Sequence, residues 1–408
     1  MSKCQLQKCQ CKKCQCNTTN AITRLLMVFA MLVGCRAAAA AQDFSPVQRF
    51  LDDAVNEGKV AGGCVLLLHR GEVVFGEGFG FADLETQTPF RLETPVVIAS
   101  ISKPLLGTAA FRIAEHGDVN LSAPISIYLP EFANALLESG SPVGRAPSMI
   151  ELFGHTSGMR AEGPGGRPWF ASWTKGITLE DVVKRYARDY PLKTRPGKRY
   201  AYSGIGIDVA ARVLEVVANT SRQNMLVTQV AKPLGMKHTF YRDTDSVKLV
   251  GPMPTRYQRR DDGTLVLRRK YPVPPVDDYS SSGGSVISTA ADLANWLMMF
   301  RNNGMHHGER FLESETVEEM LVRVPNSSNS RCGFFVRKKG TNGTATVIGH
   351  TGSSGTNCWV NFKEDLVAVT LTQTSGNVKQ FRIELEKCIN QCIAGRVDSE
   401  PSPRTMPR

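Results

Sequence analysis

Beyond residue 41 this 408-residue chain has only five cysteines, Cys64, Cys332, Cys358, Cys388 and Cys392. They are too few and too scattered for a disulfide framework. Cys388 and Cys392 stand at i,i+4 and read as small apolar side chains on one helix. Long apolar runs are also missing. The one strongly apolar stretch, Leu25 to Gly34, has ten residues, too few to span a bilayer. No basic stripe with interleaved aromatics occurs, so the net charge of +11 leaves no nucleic-acid footprint. Six of those charges, Lys3, Lys8, Lys12, Lys13, Arg24 and Arg36, precede the first acid, and the remainder of the chain carries only +5. There is no internal repeat. What is present, 42% hydrophobic and 21% charged residues, is ordinary for a globular protein with a core that needs no covalent staples.

The N-terminus reads as an export signal. Arg24 precedes LLMVFAMLVG, and a small-residue stretch follows at Ala37 to Ala41. Two processing readings fit. Cleavage near Ala41 would release a chain beginning at Gln42. Alternatively LVGC, residues 32–35, resembles a bacterial lipobox, which would lipidate Cys35 and anchor the protein to a membrane. Either places the protein outside the cytoplasm, in the periplasm or cell envelope if its source is bacterial. Upstream, Cys9, Cys11, Cys14 and Cys16 have a C-x-C-x-x-C-x-C spacing that a soft metal would accept, with Cys4 beyond them. The plainer reading is an overlong leader, or a start site placed before Met27. A mature chain beginning at or after Cys35 would lose these residues.

The pattern then runs helix (Pro46 to Lys59), hairpin (Gly62 to His69 and Glu72 to Phe79), and helix (Ser100 to Glu115). From Asp118 to Ser282 it becomes helices and long loops. Thr178 and Asp181 have capping-box spacing, Ile205 to Ala218 has one apolar face, and Arg256 to Lys270 is a polar, basic excursion. A helix capped by Thr289 and Asp292 follows. Strand-like alternation then covers Cys332 to Arg337, Thr344 to Gly349, Asn357 to Phe362 and Leu366 to Thr372, and a helix spans Val378 to Ala394. The expected fold is α/β in the α+β sense. One antiparallel sheet is built from residues 42–117 and 283–396, is flanked by N- and C-terminal helices, and carries an inserted, mostly helical region, 118–282. Residues 1–41 form the signal and 397–408 an unstructured tail.

Three stretches carry candidate chemistry. In Ser100-Ile101-Ser102-Lys103-Pro104, residues i and i+3 share a helical face, so the lysine amine reaches the serine hydroxyl. A serine is a poor nucleophile until a base takes its proton, and burial lowers a lysine's pKa toward that role. Pro104 fits the first helical turn. Tyr202 stands in a loop before a helix, where a nearby cation would help it act as a base; taken alone it reads rather as an aromatic capping the helix core. His350-Thr351-Gly352-Ser353 follows a strand; Gly352 leaves room for a substrate beside the strand edge, and amides there could complete an oxyanion hole. An ordinary Gly-rich hairpin is the bland reading.

In this order the three stretches resemble the serine hydrolases related to class C β-lactamases, D-alanyl-D-alanine carboxypeptidases and the esterases of the same fold. The likeness covers residues 43–395. It extends to HGDVNLSAPISIYLPEF, to ELFGHTSGM at Glu151 to Met159, and to SSGGSVISTAADLANW at Ser281 to Trp296. The resemblance implies a β-lactamase/transpeptidase-like fold in which Ser100 is acylated and Lys103 shares a proton relay. Tyr202, in the place of the Y-x-N tyrosine, would be base and leaving-group acid, although sequence does not decide between Lys103 and Tyr202. His350, Thr351 and Gly352 would stand in the K-T-G or H-x-G place, with the Ser100 and Ser353 amides as oxyanion hole. His155-Thr156-Ser157-Gly158 reads as structural. Two departures weigh against β-lactamase action. Gly204 replaces the Y-x-N asparagine, and His350 replaces a lysine that would pair with a substrate carboxylate. Trp169, Phe170 and Trp173 follow a Gly/Pro-rich loop and are candidates for an apolar pocket wall.

The expected function is an exported serine hydrolase acting through an acyl-enzyme, with a small ester favoured over an amide. The alternatives are a β-lactamase or D-Ala carboxypeptidase, and a catalytically silent binding protein on the same scaffold. The mechanism calls for no metal or organic cofactor, and no nucleic-acid partner is expected.

Overall fold

The computed structural model describes residues 42–160, 176–242, 253–270, 279–341 and 343–395. The export segment, the tail and the Trp169–Trp173 aromatics therefore lie outside the described residues.

Helix α1 (Ser45–Asn56) leads into β1 (Gly62–His69), β2 (Glu72–Asp83), β3 (Thr88–Pro89) and β4 (Val96–Val97). A single 3₁₀ turn, Ala99–Ile101, opens α2 (Ser102–Glu115). The helical stretch follows, with α3 (Met149–Phe153), α4 (Leu179–Asp189), α5 (Gly204–Ala218) and α6 (Arg222–Leu226). Next come β5 (Phe240–Tyr241), β6 (Arg256–Arg259), β7 (Leu265–Arg269), β8 (Val286–Ser288), α7 (Ala290–Arg301), β9 (Met305–His306), β10 (Glu309–Arg310) and α8 (Ser314–Leu321). The chain closes with β11 (Phe335–Lys339), β12 (Ala345–Thr351), β13 (Asn357–Asn361), β14 (Leu366–Thr372), β15 (Thr374–Gly376) and α9 (Lys379–Ile393).

Seven strands form the main sheet in the order β11-β12-β13-β14-β1-β2-β3, every neighbour antiparallel. The first and last strands of this sheet in chain order thus meet near its centre, where Cys64 pairs with Leu371 and Leu67 with Ala368. Because side chains alternate along a strand, β1 feeds two cores. Val65 and Leu67 join α1 and α9 on one face, with Val47, Leu51, Phe381 and Leu385. Cys64 and Leu66 join a larger core that runs through α2, α5 and α7. The terminal helices therefore cover one face of the sheet and the helical stretch shares the core of the other. The caps expected at Thr178 and Thr289 form, Thr178 as a full capping box with Asp181. The basic excursion is not a loop: β6 and β7 make a hairpin, and β15 pairs with β6 in parallel.

Helix α2 lies at the middle of the larger core. Trp296 of α7 is fully buried and donates from Nε1 to Thr108 Oγ1 at 3.0 Å. Gly107 lets the backbone at Cys332 close in, since a Cβ there would sit 2.0 Å from the Cys332 carbonyl oxygen. Gly107→Ala is therefore expected to destabilise the protein by about 2 kcal/mol in denaturant titration, although glycine-to-alanine in an exposed helix gains about 1 kcal/mol. A gain in stability would show that α2 is not held against Cys332 at this distance.

Candidate active site

Ser100 lies in the 3₁₀ turn just ahead of α2, where amide groups have no acceptor one turn back. The residue before it, Ala99, has φ of +51°, a left-handed conformation that a non-glycine residue adopts at a cost. Contacts on every side hold it there. Ile98 N–H donates to Val286 O at 2.9 Å, and Ser102 Oγ donates to Ala99 O at 2.6 Å. The loop after β12 is stitched to the same segment: Ser354 Oγ donates to Val97 O at 2.9 Å and Thr356 Oγ1 to Ile98 O at 3.0 Å. Glycine is needed at 352, where a Cβ would lie 2.6 Å from Ile98 O. These bonds bring Ser353 to the mouth of the Ser100 site, and its N–H has no acceptor among the described residues.

Lys103 points from the first turn of α2 back to Ser100. Its Nζ donates to Ser100 Oγ at 3.0 Å and to Gly283 O at 2.7 Å. Only 4% of the residue is exposed, and burial brings its pKa down from 10.5 to about 7, against a partly opposing attraction from Asp208. The groups around it carry little compensating charge. His155 and His350 are buried and held neutral, His350 near 3, by burial first and by Lys103 second. Tyr202 bonds Ser100 through its hydroxyl and lies with its ring centroid 4.9 Å from Lys103 Nζ; burial pushes the phenol up to about 12.

Two supports appear that the sequence did not single out. Asp208 of α5 is buried and accepts from Ser282 N–H at 2.6 Å. Arg222 donates to Ser282 Oγ at 2.8 Å and to Ser280 Oγ at 3.3 Å. Together they fix the 280–285 loop that presents the Gly283 carbonyl to Lys103. His155, itself at φ +55°, clasps the segment around Tyr202: its carbonyl accepts from Ala201 N–H at 2.8 Å and its Nδ1 from Ser203 N–H at 3.1 Å. Its ring lies 4.3 Å from the Tyr202 ring. The HTSG stretch thereby gains a concrete contact with a candidate catalytic side chain.

A cavity of about 390 Å³ is lined by Ser100, Lys103, Gly204, Gly283 and Ser353, among others. Gly204 faces open space, with nothing within 4 Å of an added Cβ. The His350 side chain does not line this cavity. It stacks on Phe335 at 4.4 Å, and its Nδ1 lies 2.8 Å from Thr351 O. No group of His, Cys, Asp or Glu among the described residues is placed to hold a metal ion.

The family model described as Beta-lactamase matches residues 47–387, most of the chain. The chain belongs to the β-lactamase family. Esterase EstB of Burkholderia gladioli is 27% identical over 273 residues, 62% of this chain and 68% of that protein. The D-alanyl-D-alanine-carboxypeptidase/endopeptidase AmpH of Escherichia coli is 25% identical over 280 residues, 65% of this chain and 66% of its own length. The chain thus spans about two thirds of either relative. Among solved structures, EstCE1, described as a hydrolase with promiscuous acyltransferase activity, superposes with a TM-score of 0.69 at 22% identity, covering 84% of this chain and 97% of that one. This β-lactamase-family fold is the expected one, and its relatives include both esterases and carboxypeptidases.

Lys103 makes a stability prediction whose sign follows from its lowered pKa. Between about pH 7 and 10.5 the unfolded chain binds more protons at this site than the folded one. The folded state therefore bears the full cost of the buried cation below pH 7 and sheds it as pH rises through that window. Lys103→Met should raise stability by about 1–4 kcal/mol at pH 6, with the advantage fading toward pH 10, in chemical denaturation at both pH values. An advantage that does not change with pH would mean that Lys103 titrates at its ordinary value.

Proposed function

We propose that this β-lactamase-family chain is a serine hydrolase that forms an acyl-enzyme at Ser100, acting on small esters. The observation that carries this reading is the 3.0 Å contact between Ser100 Oγ and an almost fully buried Lys103. A lysine with a pKa of about 7 is half neutral at physiological pH, so it can take the Ser100 proton as the hydroxyl attacks an acyl carbonyl. Tyr202, with a phenol pushed by burial to about 12, stays protonated beside Ser100. It is the group placed to pass a proton to the departing alkoxide. Base and acid are thus divided between Lys103 and Tyr202, where the resemblance alone gave both tasks to the tyrosine. The Ser100 and Ser353 amides would stabilise the tetrahedral oxyanion. Water entering on the same path would then release the acyl group by the reverse proton transfers.

The ester preference rests on Gly204, which offers no side-chain amide to a peptide or β-lactam substrate, and on the likeness to EstB and EstCE1. D-alanyl-D-alanine carboxypeptidase action is the second reading, favoured by the likeness to AmpH. Export belongs to the same proposal, supported by the Leu25–Gly34 run and the small residues after it.

Intact-protein mass spectrometry with a fluorophosphonate, a p-nitrophenyl ester and a penicillin, run beside Ser100→Ala, tests the proposal. A single adduct that is absent in the variant, with ester turnover reduced about 10³-fold or more, is expected. A folded protein that reacts with none of the three would be a binding scaffold instead.

A further inference from the structure

The Ser100 cavity does not end at the nucleophile. It is lined also by Arg242, Arg256 and Arg269, together with Ser353. A second cavity, of about 510 Å³, shares Arg256, Arg269 and Ser353 with the first and adds Arg268 and Ser375. Among the described residues no carboxylate lines either one. The nearest acids of this hairpin are placed elsewhere: Asp261 and Asp262 sit at its turn, and Glu85 pairs with Lys270.

Arg256 and Arg269 stand directly opposite each other on antiparallel β6 and β7. Facing cross-strand side chains share one side of the sheet with Cβ atoms about 5 Å apart, and like charges there repel. A break in register immediately after Arg256 re-aims the strand at this point. Arg256 is half-buried. Neither guanidinium has an ion pair or side-chain hydrogen bond to any described residue, whereas nine other arginines of the described chain are ion-paired. Two mutually repelling forks beside a nucleophile, Arg256 half-buried and Arg269 exposed, lack one thing, an anion between them. Carboxylate and phosphate oxygens match that fork in pairs.

We propose that the substrate of this site carries an anionic group, a carboxylate or a phosphate, that docks on Arg256 and Arg269 while its acyl carbonyl lies at Ser100. This deepens the serine-hydrolase reading and rests on it. The neutral side chains around the nucleophile do the chemistry, and the hairpin selects the substrate by charge. Arg256, Arg269 and Ser353 line both cavities, so the anionic end and the reacting end of the substrate meet at shared residues.

The test compares esters matched in size that differ in charge, using the full chain at low salt. On the acyl side these are p-nitrophenyl hemiglutarate against its methyl ester, and the corresponding phosphonopropionate against its dimethyl ester. On the leaving-group side they are 4-acetoxybenzoate against its methyl ester. At least one anionic member should have a kcat/KM about tenfold above its neutral partner, and salt should erode the difference. That ratio should fall toward one in Arg269→Gln, an exposed position, and in the Arg256→Gln/Arg269→Gln pair. The class of ester showing the preference distinguishes carboxylate from phosphate. A ratio of one or less for every pair, or a ratio unchanged in both variants, overturns the inference while leaving the hydrolase reading intact. If no ester shows Ser100-dependent turnover, the hydrolase reading fails by itself. Calorimetric titration with glutarate and inorganic phosphate then decides: binding lost in Arg269→Gln upholds an anion site, and absence of binding overturns it.

Discussion

Lys103 is bound to the Gly283 carbonyl at 2.7 Å and to Ser100 Oγ at 3.0 Å, and its almost fully buried ammonium has no directly bonded carboxylate among the described residues. Asp208, the acid whose field reaches it, is bonded to the Ser282 amide instead. That arrangement is poor for stability and good for proton transfer. A fully paired lysine would stay charged at any working pH, and an exposed one would stay near 10. Burial with a carbonyl and a hydroxyl as its hydrogen-bond partners among the described residues brings the amine to the point where it can exchange a proton with a serine.

Much of the surrounding architecture serves this one contact. Asp208 and Arg222, from α5 and α6, hold the 280–285 loop whose carbonyl meets the amine. Trp296 and the close approach at Gly107 fix α2, which carries the lysine. The β12 loop locks Val97 and Ile98 and so steadies the left-handed Ala99 on which Ser100 turns. These supports come from both ends of the chain and from its middle. This is why the sheet has β1 beside β14 at its centre and the helical stretch packed on the same core.

The parts of this that are local in sequence could be read from it. The i,i+3 spacing of Ser100 and Lys103, the caps at Thr178 and Thr289, the β1–β2 hairpin and the alternating strands after Phe335 depend on neighbours a few residues away. The parts that depend on distant partners could not. Asp208 looks like one polar position on an apolar helix until Ser282, 74 residues on, is folded against it. The β6–β7 hairpin read as an excursion because its polar faces show no apolar alternation, and its third strand, β15, arrives more than 100 residues later. His350 looked like a substrate-facing group by its place in a motif, but the Phe335 ring draws it into the sheet, which only the β11–β12 register brings about.

The central claim is that Lys103 is neutral, not merely near Ser100, when the site works. Direct titration of its amine tests this most simply, by NMR of reductively ¹³C-methylated protein with the signal assigned through Lys103→Met. A midpoint near 7, well below the ordinary value of a lysine amine, is the expected result. A Lys103 signal that titrates with the exposed lysines would contradict the account, leaving the amine a fixed charge and the proton of Ser100 to some other base.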